Sequence, residues 1–152
     1  MLRTLLWDPL EPVATRPLAL VQGNALYCYG TDFNKNVTEI FDEQGTIAAA
    51  YDYSPYGTAT RTGRLVQPVQ WSGEMHDEEP TLAYYNYRFY NPKDGRWINR
   101  DPIAEQGGWN FYAFVGNSPQ DKFDALGLED KKKDKEFLGY VYDQTLEGTD
   151  IY

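Results

Sequence analysis

Two aspartates in the second half of the sequence stand in similar settings and could do chemistry together. Asp101 lies in Arg100-Asp101-Pro102-Ile103-Ala104, and Asp124 lies in Phe123-Asp124-Ala125-Leu126-Gly127-Leu128. Two carboxyl groups held close together cannot both ionise, so one can act as an acid while the other acts as a base. Aspartates before proline or a small residue also commonly begin turns. Spacing alone therefore favours the turn interpretation over catalysis.

The single histidine and the single cysteine are weaker candidates for a site. His76 lies in an acidic stretch, but no second ligand follows at the spacing that a metal site needs, so we interpret it as a solvated turn residue. Cys28 cannot form an internal disulfide and has no histidine near it in the sequence. The sequence therefore predicts neither a metal site nor a cofactor.

Composition narrows the class of protein. A length of 152 residues suits one domain, and the 13 tyrosines and 4 tryptophans favour β structure. The net charge of -9 argues against nucleic acid or an anionic membrane as a partner. No apolar run approaches the about 18 residues of a membrane span, and no signal peptide is recognisable. We expect a protein that is cytoplasmic when made and exported, if at all, by a dedicated secretion system.

Short strands separated by turn residues must position the two aspartates. In the first half, strands are predicted at residues 2–7, 18–22, 25–29, 37–41 and 46–53. Residues 57–68, rich in glycine, threonine and arginine, are predicted to form a mobile loop. Residues 69–73 are predicted to form a brief strand, and residues 76–80 an acidic turn.

The second half is denser in aromatic residues. Residues 82–90 are predicted to form one aromatic strand, and Asn91–Gly95 a turn from which residues 96–99 return antiparallel. One short helix is predicted at residues 110–115, with Asn110 as N-cap and Gly116 as the stop. Eight consecutive charges at residues 129–136 indicate a solvated linker. We therefore divide the chain into units at 1–68, 69–128 and 129–152.

The stretch from Leu82 to Leu128 resembles the Rhs repeat-associated core, the C-terminal part of Rhs and YD-repeat proteins, which include polymorphic toxins and toxin-complex C subunits. The segments that carry the resemblance are Leu82–Pro92, Asp94–Ile98, Asp101–Ile103, Gly107–Pro119 and Asp124–Leu128. Upstream, residues 32–37 and 45–57 look like degenerate YD repeats, so that the resemblance covers about residues 5–128.

This resemblance implies a mainly β fold, in which YD-repeat hairpins form a curled or spiralling antiparallel sheet. In large relatives such sheets enclose a hollow shell around a C-terminal toxin. The implied partners are the chain's own C-terminal segment, the remainder of a larger Rhs shell or a secretion apparatus, and a cognate immunity protein. The implied source is bacterial.

The resemblance also implies an activity, that of an intramolecular aspartic self-protease. By position, Arg100, Asp101 and Asp124 would be its catalytic residues, and the cut would fall between Leu128 and Glu129. The chain departs from the family pattern twice, with Ala104 in place of a glycine and Ala125 in place of a proline. Ala104 would be costly if that position requires a positive φ, whereas Ala125 only relaxes a turn.

Two functions from different classes remain open. The first is a self-cleaving core that releases the segment after Leu128 from a polymorphic toxin. The second is a non-catalytic β module, an orphan Rhs terminus, whose open sheet edges would favour self-association. The 24 residues after Leu128 are too few for a folded toxin enzyme. They fit the start of a longer effector or a peptide recognised by a neutralising partner.

Overall fold

The computed structural model describes residues 2–11, 13–77, 79, 81–103 and 110–128, with the backbone alone at residues 131–132. Within these ranges the chain is mainly β, as predicted. It forms a six-stranded sheet, a four-stranded sheet and a two-stranded pair, all antiparallel. No helix in the described part is long and apolar enough to cross a membrane.

The first sheet is a meander in which each strand pairs with the one before it in the chain. Its strands are β1 (Arg3–Trp7), β2 (Pro17–Gln22), β3 (Ala25–Thr31), β4 (Val37–Phe41), β5 (Ile47–Tyr53) and β6 (Ala59–Gly63). The first five strands lie where the turn residues predicted them. This succession of hairpins confirms the predicted fold class.

One turn geometry recurs three times in this sheet. The residues that open these turns, Asp32, Asp42 and Ser54, each accept a backbone N–H from the fourth residue on with their side-chain oxygen. Each also donates its own N–H to the carbonyl of that fourth residue. The third residue after the one that opens the turn has a positive φ; these residues are Lys35, Gly45 and Gly57. A side chain that hydrogen-bonds forward along its own backbone favours such turns, which explains the regular hairpins.

The predicted mobile loop at residues 57–68 is wrong in part, because β6 lies within it. Its residues pair with β5 from Tyr53↔Ala59 to Ala49↔Gly63. Four of the five β6 residues are exposed, so the strand has no apolar face to reveal it in the sequence. β6 is an edge strand, held by its backbone partner rather than by burial.

The second sheet contains β7 (Met75–Asp77), β8 (Leu82–Tyr85), β9 (Arg88–Asn91) and β10 (Arg96–Trp97), in the order β10-β9-β8-β7. The prediction of one strand over residues 82–90 is wrong, since β8 and β9 form a hairpin around Asn86 and Tyr87. Asn86 has a positive φ of 29°, a conformation that asparagine tolerates better than most residues. The return of the chain at residue 96 occurs as predicted, opposite Asn91.

Three further local predictions need correction. The brief strand at residues 69–73 is a 3₁₀ turn at Trp71–Gly73, in which Ser72 and Gly73 have positive φ. The predicted acidic turn at 76–80 begins instead inside β7, which pairs with β8. No helix forms at the described residues 110–115. Asn110 caps a turn by accepting the Tyr112 N–H, and a 3₁₀ turn follows only at Val115–Asn117.

Two clusters of buried residues form the core. The first cluster combines residues of β4 and β5 with two residues that follow β6. Its members are Val37, Ile40, Ala49, Tyr51, Leu65 and Val69. The second is aromatic and consists of Trp71, Ala83, Tyr85, Tyr90, Trp97, Phe114 and Val115. Tyr53 packs against both clusters and so joins the two sheets. In the aromatic cluster, the Tyr90 and Phe114 rings stack at 4.0 Å and the Tyr85 and Trp97 rings meet edge-on at 5.0 Å.

The division of the chain at residue 68 stays a prediction. The charged linker and most of the tail, residues 129–130 and 133–152, lie outside the described residues. The exception is the backbone of β12 (Lys131–Lys132), which pairs antiparallel with β11 (Lys122–Phe123). The chain therefore reverses direction between residues 123 and 131.

Candidate active site

Arg88 lies at the centre of a buried cluster of charges. It opens β9, and its side chain is 3% exposed. Its Nη1 donates to Asp101 Oδ2 at 2.9 Å, its Nη2 donates to Asp124 Oδ2 at 3.2 Å, and its Nε donates to the Gly127 carbonyl at 2.5 Å. One guanidinium therefore holds two buried carboxyl groups and one backbone carbonyl in a fixed arrangement.

The aromatic core fixes the plane of this guanidinium. The Arg88 Cζ atom lies 4.1 Å from the centre of the Trp97 ring. Trp97 is on β10, opposite Tyr90 of β9, and is 1% exposed. A buried arginine stacked on an indole gains a cation–π contact and loses rotational freedom. The second sheet thus positions the cation of the site.

Asp101 follows β10 and begins a turn, as its sequence context indicates. Its N–H donates to the Phe111 carbonyl at 3.1 Å, and its Oδ1 accepts the Ile103 N–H at 3.0 Å. The residue is 7% exposed. The other oxygen, Oδ2, is the one that faces Arg88. One oxygen of the Asp101 carboxyl group therefore stabilises the turn, and the other binds Arg88.

Asp124 follows β11 and organises the loop after it. Its Oδ1 accepts the N–H groups of Leu126 at 3.1 Å, Gly127 at 2.7 Å and Leu128 at 3.1 Å. The loop closes in this way with Ala125 in the position where the family pattern has proline. Burial raises the pKa of Asp124 above its ordinary value, while the three N–H groups and Arg88 oppose that rise.

The loop from Asp124 to Leu128 packs on the turn between β8 and β9. The Tyr87 N–H donates to the Leu126 carbonyl at 3.2 Å. A carbonyl carbon lies about 2.5 Å from the nitrogen of its own residue. Since the Leu128 nitrogen is 3.1 Å from Asp124 Oδ1, the Leu128 carbonyl carbon can be at most about 5.6 Å from that oxygen. The bond after Leu128 therefore begins beside the site.

The structure brings Asp101, Asp124 and Leu128 together, but not Arg100. The Arg100 side chain is exposed, and its Cζ lies 4.6 Å from the centre of the Phe111 ring. The arginine between the two aspartates is Arg88, which sequence analysis did not single out. Glu129, after the predicted cut, and Ala104, at the first departure from the family pattern, lie outside the described residues.

A signal for Arg88 was present in the sequence. It is the only cation in the aromatic run from residue 82 to residue 90. Once the turn at Asn86 and Tyr87 is known, Arg88 shares the inward-facing side of β9 with Tyr90. An arginine that faces a core must meet anions there, so its partners had to be buried carboxylates.

A guanidinium bridges the two carboxyl groups of this site. Among the described residues, no three histidine, cysteine, aspartate or glutamate side chains are grouped closely enough to hold a metal. The space between Asp101 and Asp124 is occupied by Arg88 itself. The arrangement is that of a carboxyl pair oriented by a fixed cation.

Comparisons with known proteins agree with this description. No protein-family model matches the chain. The chain is 38% identical over 96 residues, 59% of its length, to double-stranded DNA deaminase toxin A of Burkholderia cenocepacia. It is 33% identical over 103 residues, 66% of its length, to toxin protein Tse5 of Pseudomonas aeruginosa. It spans only 7% and 8% of those two proteins.

A solved structure shows the same fold in a larger assembly. The crystal structure of TcdB2-TccC3-Cdc42 matches 71% of this chain with a TM-score of 0.65 and 30% identity, and the match covers 5% of the solved chain. The fold and these likenesses define a β module of the kind found within these much larger proteins. The prediction of an Rhs repeat-associated core is confirmed, and Rhs-type toxin proteins are among the relatives that the chain resembles.

Proposed function

We propose that the chain is an intramolecular aspartic peptidase that cuts its own backbone between Leu128 and Glu129. The observation that supports this most directly is the double use of Asp124. One of its oxygens binds the backbone N–H of Leu128, and the other is tied through Arg88 to Asp101. Both carboxyl groups are therefore held next to the segment that they would cut.

In this reaction the two aspartates share one proton. The ionised carboxylate removes a proton from a water molecule as the water oxygen attacks the Leu128 carbonyl carbon. The protonated carboxyl group then gives its proton to the Glu129 nitrogen as the carbon–nitrogen bond breaks. The products are a carboxylate at Leu128 and a free amine at Glu129.

Arg88 has two tasks in this reaction. It balances one negative charge of the carboxyl pair, which permits both groups to be buried. It also holds the Gly127 carbonyl, so the backbone one residue before the cut cannot drift away from the aspartates. Arg88 thus takes the place that the resemblance implies for Arg100.

The biological consequence would be release of the C-terminal segment of a polymorphic toxin. Both relatives described above carry the word toxin in their names, and this chain matches only a small part of the length of each. In this proposal the module is part of a larger Rhs shell, and that shell belongs to a bacterial protein. Export would use a dedicated secretion system, and a cognate immunity protein would neutralise the released segment.

Intact-mass spectrometry of the purified chain tests the proposal. The wild-type chain should convert into fragments of 128 and 24 residues. Asp101→Asn and Asp124→Asn should each remain at the mass of the full chain, because each variant removes one carboxyl group from the pair that shares the proton. Asp52→Asn, an exposed change on β5, should cleave as the wild type does. A wild-type chain that stays whole after long incubation would refute the proposal.

A non-catalytic shell module is the second candidate, and the open first sheet favours it. β1 and β6 are its edge strands, and Leu2, Leu6 and Leu10 near β1 are 85%, 52% and 74% exposed. An adjoining strand of a larger Rhs shell would cover this edge; alone, the edge favours self-association. This candidate predicts the same unbroken mass for the wild type and for both asparagine variants.

A further inference from the structure

A third buried carboxyl group, that of Glu74, lies close enough to Asp124 for the two to interact electrostatically, and it has no part in the reaction described above. Glu74 follows the 3₁₀ turn at Trp71–Gly73 and is 6% exposed. Its N–H donates to the Trp71 carbonyl, and its carbonyl accepts the Gln70 N–H. Both hydrogen bonds fix the backbone from which the side chain enters the interior.

The turn before Glu74 is tightly packed at Gly73. Gly73 has a φ of 69°, and a Cβ atom added there would lie 1.7 Å from the Thr15 carbonyl oxygen. The segment around Thr15 therefore packs directly against this backbone. The backbone next to Glu74 is therefore restrained by this packing as well as by its two hydrogen bonds.

The titratable groups that interact electrostatically with Glu74 come from three other elements. They are Tyr85 at the end of β8, Asp124 in the loop after β11 and Lys35 in the turn between β3 and β4. Lys35 is already paired with Glu11 at 2.7 Å, so it cannot fully balance another carboxylate. The charge of the site that acts on Glu74, that of Asp124, has the same sign as an ionised Glu74.

These surroundings favour the protonated form of Glu74. Its Oε1 is buried without a hydrogen-bond partner among the described residues, an arrangement that is costly for an ionised carboxylate. The pKa of Glu74 is raised to about 8, first by burial and then by Asp124, although Lys35 lowers it. Glu74 also raises the pKa of Tyr85, which burial has already raised.

We propose that Glu74 is a positioning residue for Asp124, and that the cleavage site keeps its arrangement only while Glu74 carries a proton. This inference rests on the proposed self-cleavage. Because the aspartate pair shares one proton, ionisation of Glu74 would raise the buried negative charge near Arg88 from one to two. The added repulsion acts on Asp124, which holds the loop of the cut bond through three backbone N–H groups.

The test compares the cleavage rate of the full wild-type chain with that of Glu74→Gln at pH 6 and pH 9. Glutamine has the shape of the protonated glutamate and cannot ionise. The two rates should agree within about twofold at pH 6, and Glu74→Gln should be about tenfold faster at pH 9, one pH unit above the pKa of about 8. Glu79→Gln, an exposed change before β8, should follow the wild type at both values.

A merely structural role for Glu74 would change the rate by the same factor at both pH values, and that result would overturn the inference while leaving self-cleavage intact. If no chain cleaves, the proposed function fails instead. Urea unfolding then still tests the proton of Glu74. Its pKa is higher in the folded chain than in the unfolded one, so the stability it contributes is full below pH 4.5 and is lost as the pH rises to about 8.

The unfolding comparison uses Asp101→Asn, which keeps the chain intact, with and without Glu74→Gln. The unfolding midpoint of Asp101→Asn should fall between pH 5 and pH 8, and the added glutamine should remove most of that fall. Equal pH dependence in the two chains would show that Glu74 is ionised in the folded state and would overturn the inference.

Discussion

Replacement of Arg88 by alanine should stop self-cleavage and lower the free energy of unfolding by about 3–5 kcal/mol. The side chains of Asp101 and Asp124 are 6% and 2% exposed, and Arg88 is the cation that pairs with both. Without it, two buried carboxyl groups lose their counter-ion and the Gly127 carbonyl loses its donor. Urea unfolding measures the loss of stability, and intact-mass spectrometry measures the loss of self-cleavage.

The same measurements on Arg100→Ala decide which arginine belongs to the site. Arg100 is exposed and stacks on Phe111, so its loss should change the free energy of unfolding by less than about 1 kcal/mol. Cleavage should continue at close to the wild-type rate. If Arg100→Ala stops cleavage and Arg88→Ala does not, Arg100 has the role that the resemblance implies and the role proposed for Arg88 is wrong.

Arg88→Ala could fail to cleave simply because it unfolds. A triple variant separates the loss of stability from the loss of cleavage. Arg88→Met combined with Asp101→Asn and Asp124→Asn eliminates all three charges together. Replacing a whole buried ion cluster commonly costs far less than removing one member. The triple variant should therefore recover most of the stability that Arg88→Ala loses, while remaining uncleaved. Failure to recover it would show that packing on Trp97, rather than charge, explains the loss.

The first sheet was predictable because local chemistry determines it. Three of its five hairpins have a turn that opens at an aspartate or serine whose side chain hydrogen-bonds forward along its own backbone, directly after the preceding strand ends. β6 was not predictable in the same way. Its exposed residues carry no apolar alternation, and only the neighbouring β5 reveals it as a strand.

The second sheet was harder to predict because aromatic residues lie on both faces of it. Tyr84 and Phe89 pack together on the exposed face while Tyr85 and Tyr90 are buried, so residues 82–90 look like one continuous strand. That error hid the turn at Asn86 and, with it, the inward direction of Arg88. The predicted helix failed for a related reason. Val115 and Asn117 adopt positive φ values to place Phe114 in the core, a tertiary effect that propensity does not contain.

The residues of the candidate site also differ in how far the sequence could predict them. Asp101 and Asp124 were named from a resemblance, and their separation of 23 residues gave no reason of its own to expect contact. Arg88 of β9, a residue distant from both in the sequence, is the group that joins them. Glu74 was not singled out at all, because a glutamate after a glycine has no distinguishing pattern. Glu74 stands out only in the structure, where it is buried and interacts electrostatically with Asp124.

Replacement of Gly127 by alanine should slow self-cleavage by about 10-fold, because the loop must shift by a few tenths of an ångström, less than the displacement of about 1 Å that costs about 100-fold. Gly127 has a φ of 76°, and an added Cβ would lie 3.0 Å from the Tyr85 carbonyl and 3.3 Å from the Arg88 Cβ. The loop must therefore move away from β8 and β9. That movement takes the Leu128 carbonyl away from Asp124 and weakens the bond from Arg88 to the Gly127 carbonyl.

Gly23→Ala is the matched control, because it separates backbone strain from close packing. Gly23 has a similar φ of 64°, but nothing lies within 4 Å of an added Cβ. Both variants should lose about 1 kcal/mol of stability from the left-handed backbone, and only Gly127→Ala should lose cleavage in addition. Equal cleavage in the two variants would mean that the loop from Asp124 to Leu128 need not pack against β8 and β9 for the cut. In that case the Leu128–Glu129 bond would have to reach the aspartates by another path than the one held by Arg88.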